Sequence, residues 1–385
     1  MKRDLFLTLD FPPSTGGIAR YSLSLLRVFG KRRCIVLAPR RRDTTEGEVN
    51  LPPSITLRRR QLLGPPWIWP RWMPLLVHTI WETLRSRITL LHVGQLLPVG
   101  TVALFLHWLF GVPYIVYVHG LDLLSSRKMP RKKALAQKIL RSAERIVANS
   151  ESTARLLRED GVTRDRLLIV RPGCTMIGVV PEKERVAQLQ HRYHLEGKTV
   201  LLTIARLVER KGIDVALRSF SRLAPAYPNA VYVIVGEGDD RQRLERCAQE
   251  NGVAERVLFL GKSPESDLAA WYALCSLFLL VPHSNKGEDI EGFGIVYLEA
   301  AAFGKPVIAS RTGGVAEAVV DQQTGLLVPP EDEKATEAAL RALLDHPERA
   351  QLLGANGKRR VEAEGRWEQR TAQLRRWLEE KHPQA

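Results

Sequence analysis

The sequence predicts an α/β protein built from doubly wound parallel sheets, and three observations carry that prediction. The chain has 385 residues, which is room for two or three domains. Hydrophobic residues are 45% and charged residues 26%, so both halves can bury a core and simple disorder is excluded. In the second half, short continuous apolar runs alternate with helical patterns, as expected for strands covered by helices on both faces.

The elements read off in order. Leu5–Leu9 is a strand, and a Gly-Gly loop leads into a helix over Ile18–Phe29. Strands follow at Cys34–Ala38, Thr89–Val93, Tyr114–Val118 and Ile146–Asn149, with helices at Lys132–Ala143 and Glu151–Asp160. Residues 171–197, from Arg171-Pro172-Gly173 onwards, read as the crossing between domains. Beyond it, strands at Val200–Ala205, Ala230–Val235, Arg256–Leu260, Leu277–Val281, Pro306–Ser310 and Gly325–Val328 alternate with helices at Asp214–Ala226, Arg241–Asn251, Glu265–Cys275, Gly294–Phe303 and Gly314–Asp321. The domain expectation is 1–175 for an N-terminal unit, 176–197 for a linker, 198–362 for a C-terminal unit, and a helix within 363–385 crossing back to the first. Two such domains facing one another would place a cleft between their strand ends, where ligands of doubly wound sheets bind.

Net charge is +15, and it is lopsided. Residues 1–197 hold 32 basic and 15 acidic side chains, a balance of +17, and the remainder is at −2. An anionic partner for the first half alone is implied: membrane surface, nucleic acid or an acidic substrate, against a plainly solvated basic face. Four scattered cysteines form no C-x-x-C pair, so neither a zinc knuckle nor a disulfide framework is supported, and reduced thiols in a cytosolic setting fit best. The start of the chain turns polar too quickly for a secretory signal.

Two apolar stretches raise the membrane question. Leu96–Val118 is long enough to span a bilayer, but Gly111-Val112-Pro113 breaks it and a β-branched run follows, so a buried helix feeding a buried strand is expected. The segment from Leu62 to Trp81 holds four of the eight tryptophans, with Arg58, Arg59 and Arg60 before it. Tryptophan and arginine beside an apolar stretch make either a core helix or an interfacial membrane contact. The basic first half favours the membrane, with Trp67, Trp69, Trp72 and the three arginines in contact.

Chemistry concentrates at Glu288–Glu299, EDIEGFGIVYLE. The glycines open a helix whose first N–H groups and dipole suit an anion, so a phosphate is a natural occupant near Gly294. Glu291 lies before the helix and Glu299 more than a turn inside, too far apart for a hydrolase dyad but placed to grip two ends of an extended ligand. Arg206, just past a strand, and Lys211, before the next helix, supply cations for the same phosphates.

These residues resemble the retaining glycosyltransferases of the GT-B fold, in the large family-four group that includes phosphatidylinositol mannosyltransferases. The matching stretches are PPSTGGIARY, VHGLD, ANSESTARLL, ARLVERKG, VGEGDDRQRL, EGFGIVYLEAAAFGKPVIAS, TGG and TGLLVPP, in that order. The resemblance implies that Arg206 and Lys211 bind the donor diphosphate and that Glu299 holds the ribose. Glu291, with the backbone of Phe293 and Gly294, would hold the transferred hexose. It further implies that Gly16 and Gly17 let the first domain approach the diphosphate, that His119 sits near the sugar, and that Lys262 borders the base. The expected reaction is hexosyl transfer with retention, first choice mannose from GDP-mannose, to a lipid-linked or glycan acceptor in cell-envelope or polysaccharide synthesis. No D-x-D stands in the expected place, so no cofactor and no essential metal are expected. The expected location is cytoplasmic, peripheral on the inner face of the plasma membrane.

The chain departs from the pattern at Pro172-Gly173-Cys174-Thr175, where relatives commonly read P-G-V-D, and residues 40–90 follow no familial pattern. A nucleotide-sugar epimerase of the same fold is the nearest rival. Gly236-Glu237-Gly238 resembles the start of a nicotinamide-dinucleotide fingerprint, but Arg241 occupies the third glycine's place. No zinc finger, helix-turn-helix or aromatic platform supports nucleic-acid binding.

Overall fold

The computed structural model describes residues 2–14, 16–30, 32–40, 49–284 and 291–384. Residues 288–290 of the glutamate motif and Thr15 of the first glycine loop fall outside the described residues. The chain divides into two compact units, one of Met1–Pro172 with Trp367–Ala385, the other of Gly173–Arg366.

The first unit carries β1 Arg3–Leu7, α1 Gly17–Arg27, β2 Cys34–Pro39, β3 Ile55–Arg60, α2 Met73–Ser86, β4 Ile88–Val93, α3 Val99–Phe110, β5 Tyr114–Val118, α4 Leu121–Arg127, α5 Pro130–Ser142, β6 Arg145–Ala148, α6 Glu151–Glu159 and β7 Leu167–Ile169. Its seven strands run in the order β3-β2-β1-β4-β5-β6-β7, and every pairing is parallel. Strand side chains alternate between two cores: Leu5, Leu7, Tyr114 and Val116 feed one, while Phe6, Ile115 and Tyr117 feed the other. That two-sided burial is why these strands read as unbroken apolar runs. Leu96–Val118 resolves into α3 and β5; β5 is buried throughout as expected, but α3 is buried on one side only, with Phe105, Trp108, Leu109 and Phe110 exposed, against the expectation of a buried helix. Among the described residues no helix is long and apolar enough to cross a membrane.

The second unit carries α7 Lys183–Arg192, β8 Thr199–Ile204, α8 Ile213–Leu223, β9 Ala230–Val235, α9 Arg241–Glu250, β10 Val257–Gly261, α10 Glu265–Leu274, β11 Leu277–Leu280, α11 Ile295–Ala302, β12 Val307–Ser310, α12 Val315–Ala318, β13 Leu326–Val328, α13 Glu333–Leu344 and α14 Pro347–Glu364. Its six strands run β10-β9-β8-β11-β12-β13, again all parallel. Val200 and Leu202 face one core and Leu201 the other. The stretch 176–197, expected as a linker, is instead part of this unit: α7 lies within it, and Leu189 and Leu195 are buried in the same core as Val200.

The last helix, α15 Trp367–Lys381, belongs to the first unit. Its Trp367, Leu374, Trp377 and Leu378 join the core that holds Phe6 and Tyr117. Arg32 fastens it, bonding the carbonyls of Leu378 (3.3 Å) and His382 (2.9 Å) while pairing with buried Asp4 at 2.8 Å.

Candidate active site

In the second sheet the chain order reverses between β8 and β11: β8 is followed by β9 on one side and β11 by β12 on the other. The crevice at the carboxyl ends of such a pair is where doubly wound sheets receive ligands. Exposed Arg206 lies two residues past the end of β8. The loop continues through a single 3-10 turn, Glu209–Lys211, to Gly212, whose positive φ of 62° starts α8.

Close backbone contacts hold this loop. Gly236 follows β9 with φ 148°, and a Cβ there would lie 1.8 Å from the Ala205 carbonyl oxygen. The Leu207 amide donates to the Glu237 carbonyl at 2.9 Å, and the Asp240 amide to the Leu207 carbonyl at 3.1 Å. The glycines of the GEG stretch thus let one strand exit nest against another, which is a different use from a dinucleotide fingerprint.

Lys211 and Glu291 are brought together: the ammonium donates to Glu291 Oε2, and Arg210 stands 3.7 Å from the same oxygen. Both side chains of the Lys211–Glu291 pair are 13% exposed. Burial draws the Lys211 pKa down, with Glu291 opposing. Burial alone would raise the Glu291 carboxyl, but Lys211, Arg210 and Arg206 together bring it below the ordinary carboxylate range. Among the described residues the Glu291 carboxylate therefore stands beside three cations that could meet a diphosphate.

Glu291 is positioned by its own backbone, whose carbonyl accepts from the Gly314 amide at 2.9 Å. Phe293 is buried in the core, so only its backbone can face a ligand. Gly294 precedes α11, and the amides of the half-buried residues Ile295 and Val296 stand in the first turn, where no intrahelical acceptor exists. Glu299 points into the interior, 1% exposed, and its Oε2 accepts from the Tyr272 hydroxyl at 2.7 Å. Lys262 is exposed directly after β10. Arg210 and Tyr272 were not singled out by the sequence reasoning. Adjacency to Lys211 is the only signal that points to Arg210, and none points to Tyr272.

In the first unit the order reverses between β1 and β4, and the three expected residues lie on loops beyond the carboxyl ends of that sheet. Gly16 and Gly17 start α1: a Cβ on Gly16 would meet the Asp10 carboxylate at 2.9 Å, and one on Gly17 would meet open space. His119 follows β5 and is buried, its Nε2 donating to the Gly94 carbonyl at 3.1 Å. A carbonyl can only accept, so Nε2 carries the proton and Nδ1 is the lone-pair nitrogen. Burial lowers the His119 pKa against the pull of Asp122, and the ring is neutral.

The expected membrane residues separate. Trp67 and Trp69 are 83% and 91% exposed. Trp72 packs partly buried against the core, because α2 begins there and turns its ring inward. Arg58 pairs with buried Glu82 at 3.3 Å, and Arg59 bonds the carbonyls of Pro12 and Pro39, so both help hold the edge strand β3 in place. Arg60 is exposed.

Comparison with known families accounts for both units. Residues 15–175 match the family described as Glycosyltransferase Family 4, and residues 187–360 match Glycosyl transferases group 1. The chain belongs to the GT-B glycosyltransferases. A GDP-mannose-dependent alpha-(1-6)-phosphatidylinositol monomannoside mannosyltransferase of Mycolicibacterium smegmatis is 37% identical to this glycosyltransferase over 204 residues, and the match spans 53% of each chain. A Mycobacterium tuberculosis protein of the same description is 28% identical over 399 residues and 98% of each chain. Anabaena HepE, crystallised with UDP and glucose, superposes on the glycosyltransferase with a TM-score of 0.83 at 18% identity, covering 98% of this chain and 99% of that one.

Proposed function

We propose that the protein transfers a hexosyl group, mannose from GDP-mannose before other donors, to a lipid-linked acceptor in cell-envelope or polysaccharide synthesis, retaining the anomeric configuration. The observation that carries this reading is the Lys211–Glu291 pair at the sheet's switch point, with Glu291 just before the first turn of α11. Arg206, Lys211 and the helix start stabilise the departing diphosphate; Glu291 receives the sugar hydroxyls; Glu299 takes the ribose. The bond from the anomeric carbon to the phosphate oxygen breaks as the acceptor oxygen bonds to that carbon. The acceptor's proton passes to the leaving phosphate, so the products are a glycoside and a nucleoside diphosphate. Preorganised cations of this kind do the electrostatic work a metal would otherwise do. The names of the mycobacterial relatives support mannose and a phosphoinositide acceptor. A panel of nucleotide sugars, assayed with lipid and soluble acceptors in excess EDTA, should give the fastest turnover with GDP-mannose and lipid. Loss of activity restored by Mg²⁺ or Mn²⁺ removes metal independence, and a faster uridine or adenosine donor removes the mannose assignment.

We also propose that the first unit docks on anionic membrane. Support comes from exposed Trp67, Ile68 and Trp69 leading into α2, whose Met73, Val77, Trp81 and Leu84 form an exposed stripe at helical spacing. Arg60, Arg71, Arg85 and Arg87 are exposed around it, and each basic residue near an anionic surface contributes about 1 kcal/mol. The protein should sediment with anionic vesicles at low salt and less at high salt. Changing Trp67, Trp69 and Trp81 together to Ser should abolish sedimentation while leaving nucleoside diphosphate binding intact. A wild type that ignores anionic vesicles at low salt makes a soluble glycan acceptor the better reading.

A further inference from the structure

The segment leaving β11 lies directly on the loop that carries Arg206 and Lys211. The His283 amide donates to the Arg210 carbonyl at 2.9 Å. A Cβ on Gly212 would stand 1.9 Å from the Val281 carbonyl oxygen and 3.0 Å from the His283 ring, so glycine permits the close approach. The imidazole reaches across to the first turn of α8, where its Nε2 is 3.2 Å from Asp214 Oδ1. Both side chains are largely buried, at 11% and 8% exposed. Arg218 at 3.0 Å and Arg243 at 3.5 Å approach the other oxygen of Asp214, so the carboxylate is the hub of a charged cluster that neither the sequence motifs nor the reaction above accounts for.

We propose that His283 is a positioning residue whose ring, packed against Asp214, pins the exit of β11 to the Lys211 loop and so keeps Arg206 and Lys211 aimed at the donor diphosphate. This rests on the reading of Arg206 and Lys211 as diphosphate ligands. Among the described residues, the charged groups that act on the imidazole are Asp214 on α8, Glu209 in the loop and Glu331 in the segment after β13, with Arg218 and Arg243 on the far oxygen of Asp214. Asp214, 3.2 Å from Nε2 but not directed into a well-formed hydrogen bond, is the largest influence and raises the His283 pKa above its ordinary value despite burial. Burial alone would raise the Asp214 carboxyl, but His283 and Arg218 hold it far below the usual carboxylate range, so it stays ionised throughout the working range. The pin is therefore closed below the raised imidazole pKa and opens as pH climbs through it. A group with a raised folded pKa stabilises the folded arrangement at low pH and stops doing so on the alkaline side.

The test is the pH dependence of donor KM and of nucleoside diphosphate binding in the full chain, with wild type, His283→Gln and Lys211→Ala in parallel. The wild-type donor KM should rise as pH climbs through the raised imidazole pKa. His283→Gln should raise it roughly tenfold on the acid side of that transition, the coupling expected within one ion-pair network, with a flat profile through it and little change in kcat or acceptor KM. An unchanged KM, or an alkaline rise that survives in His283→Gln, overturns the proposal. If that variant fails to fold, NMR titration of the wild-type imidazole decides instead. A pKa above the ordinary histidine value that falls in Asp214→Asn supports the pin, and a pKa at or below the ordinary value overturns it. If Lys211→Ala binds nucleoside diphosphate as well as wild type, the donor-site reading falls and the pin with it. If Lys211→Ala binds poorly and His283→Gln normally, only the pin falls.

Discussion

Lys211→Ala should lower kcat/KM for the nucleotide sugar by about 2–4 kcal/mol, roughly 30- to 1000-fold. The ammonium is largely buried and its carboxylate partner among the described residues is Glu291, so its removal takes away a cation and leaves that carboxylate to Arg210 and Arg206. In the wild type these three cations outweigh burial and hold Glu291 ionised. Without Lys211 the balance moves toward burial and the Glu291 pKa rises. The depressed carboxylate supports the site at all pH values above its folded pKa, so the acid limb of the variant's pH profile should move to higher pH. Steady-state kinetics across pH with a thermal melt checks both statements. Near-normal turnover, or an unmoved acid limb, removes Lys211 from the donor site.

Gly236→Ala should unfold the second unit more readily, by on the order of 3–4 kcal/mol, because strain and overlap act at the same atom. The φ of 148° is one that side chains rarely adopt, and the Ala205 carbonyl occupies the place a Cβ would take. The displaced carbonyl belongs to the residue before Arg206, so donor binding should fall with stability. Gly17→Ala is the control. Its Cβ faces open space at the start of α1, and its unfolding midpoint should match wild type. Urea unfolding followed by tryptophan fluorescence measures both, and a cost below about 1 kcal/mol for Gly236→Ala would show that the loop can retreat without penalty.

What the sequence made legible follows burial. Central strands such as Tyr114–Val118 and Ala230–Val235 sit at the bounds read from their apolar runs, because covering helices demand unbroken hydrophobicity. Two edge strands were not foreseen. In β3, ITLRRR, three arginines mask a strand paired on one side only, and β7 is three residues long. Helix α7 is polar along most of its length and buries one leucine, so its sequence looks like a connection. At the site, the glutamate motif and the Arg206–Lys211 spacing stand close in sequence and were readable. The links that join distant segments were not: Tyr272 to Glu299 spans 27 residues, and His283 to Asp214 depends on which strands are neighbours. Pairings set by sheet order leave no local trace in the chain.

The return of α15 to the first unit has a consequence for synthesis. Strand β7 ends at Ile169 and α15 begins at Trp367, so at ribosomal speeds roughly 10–40 s separate their emergence. During that interval the nascent first unit has all seven strands and α1, but lacks the tryptophans that complete the core of Phe6, Ile115 and Tyr117. The second unit is complete before the first is. The order in which the chain is made is therefore the reverse of the order in which its two cores can be finished, and the early unit must wait, with one face only partly covered, where a chaperone would find it.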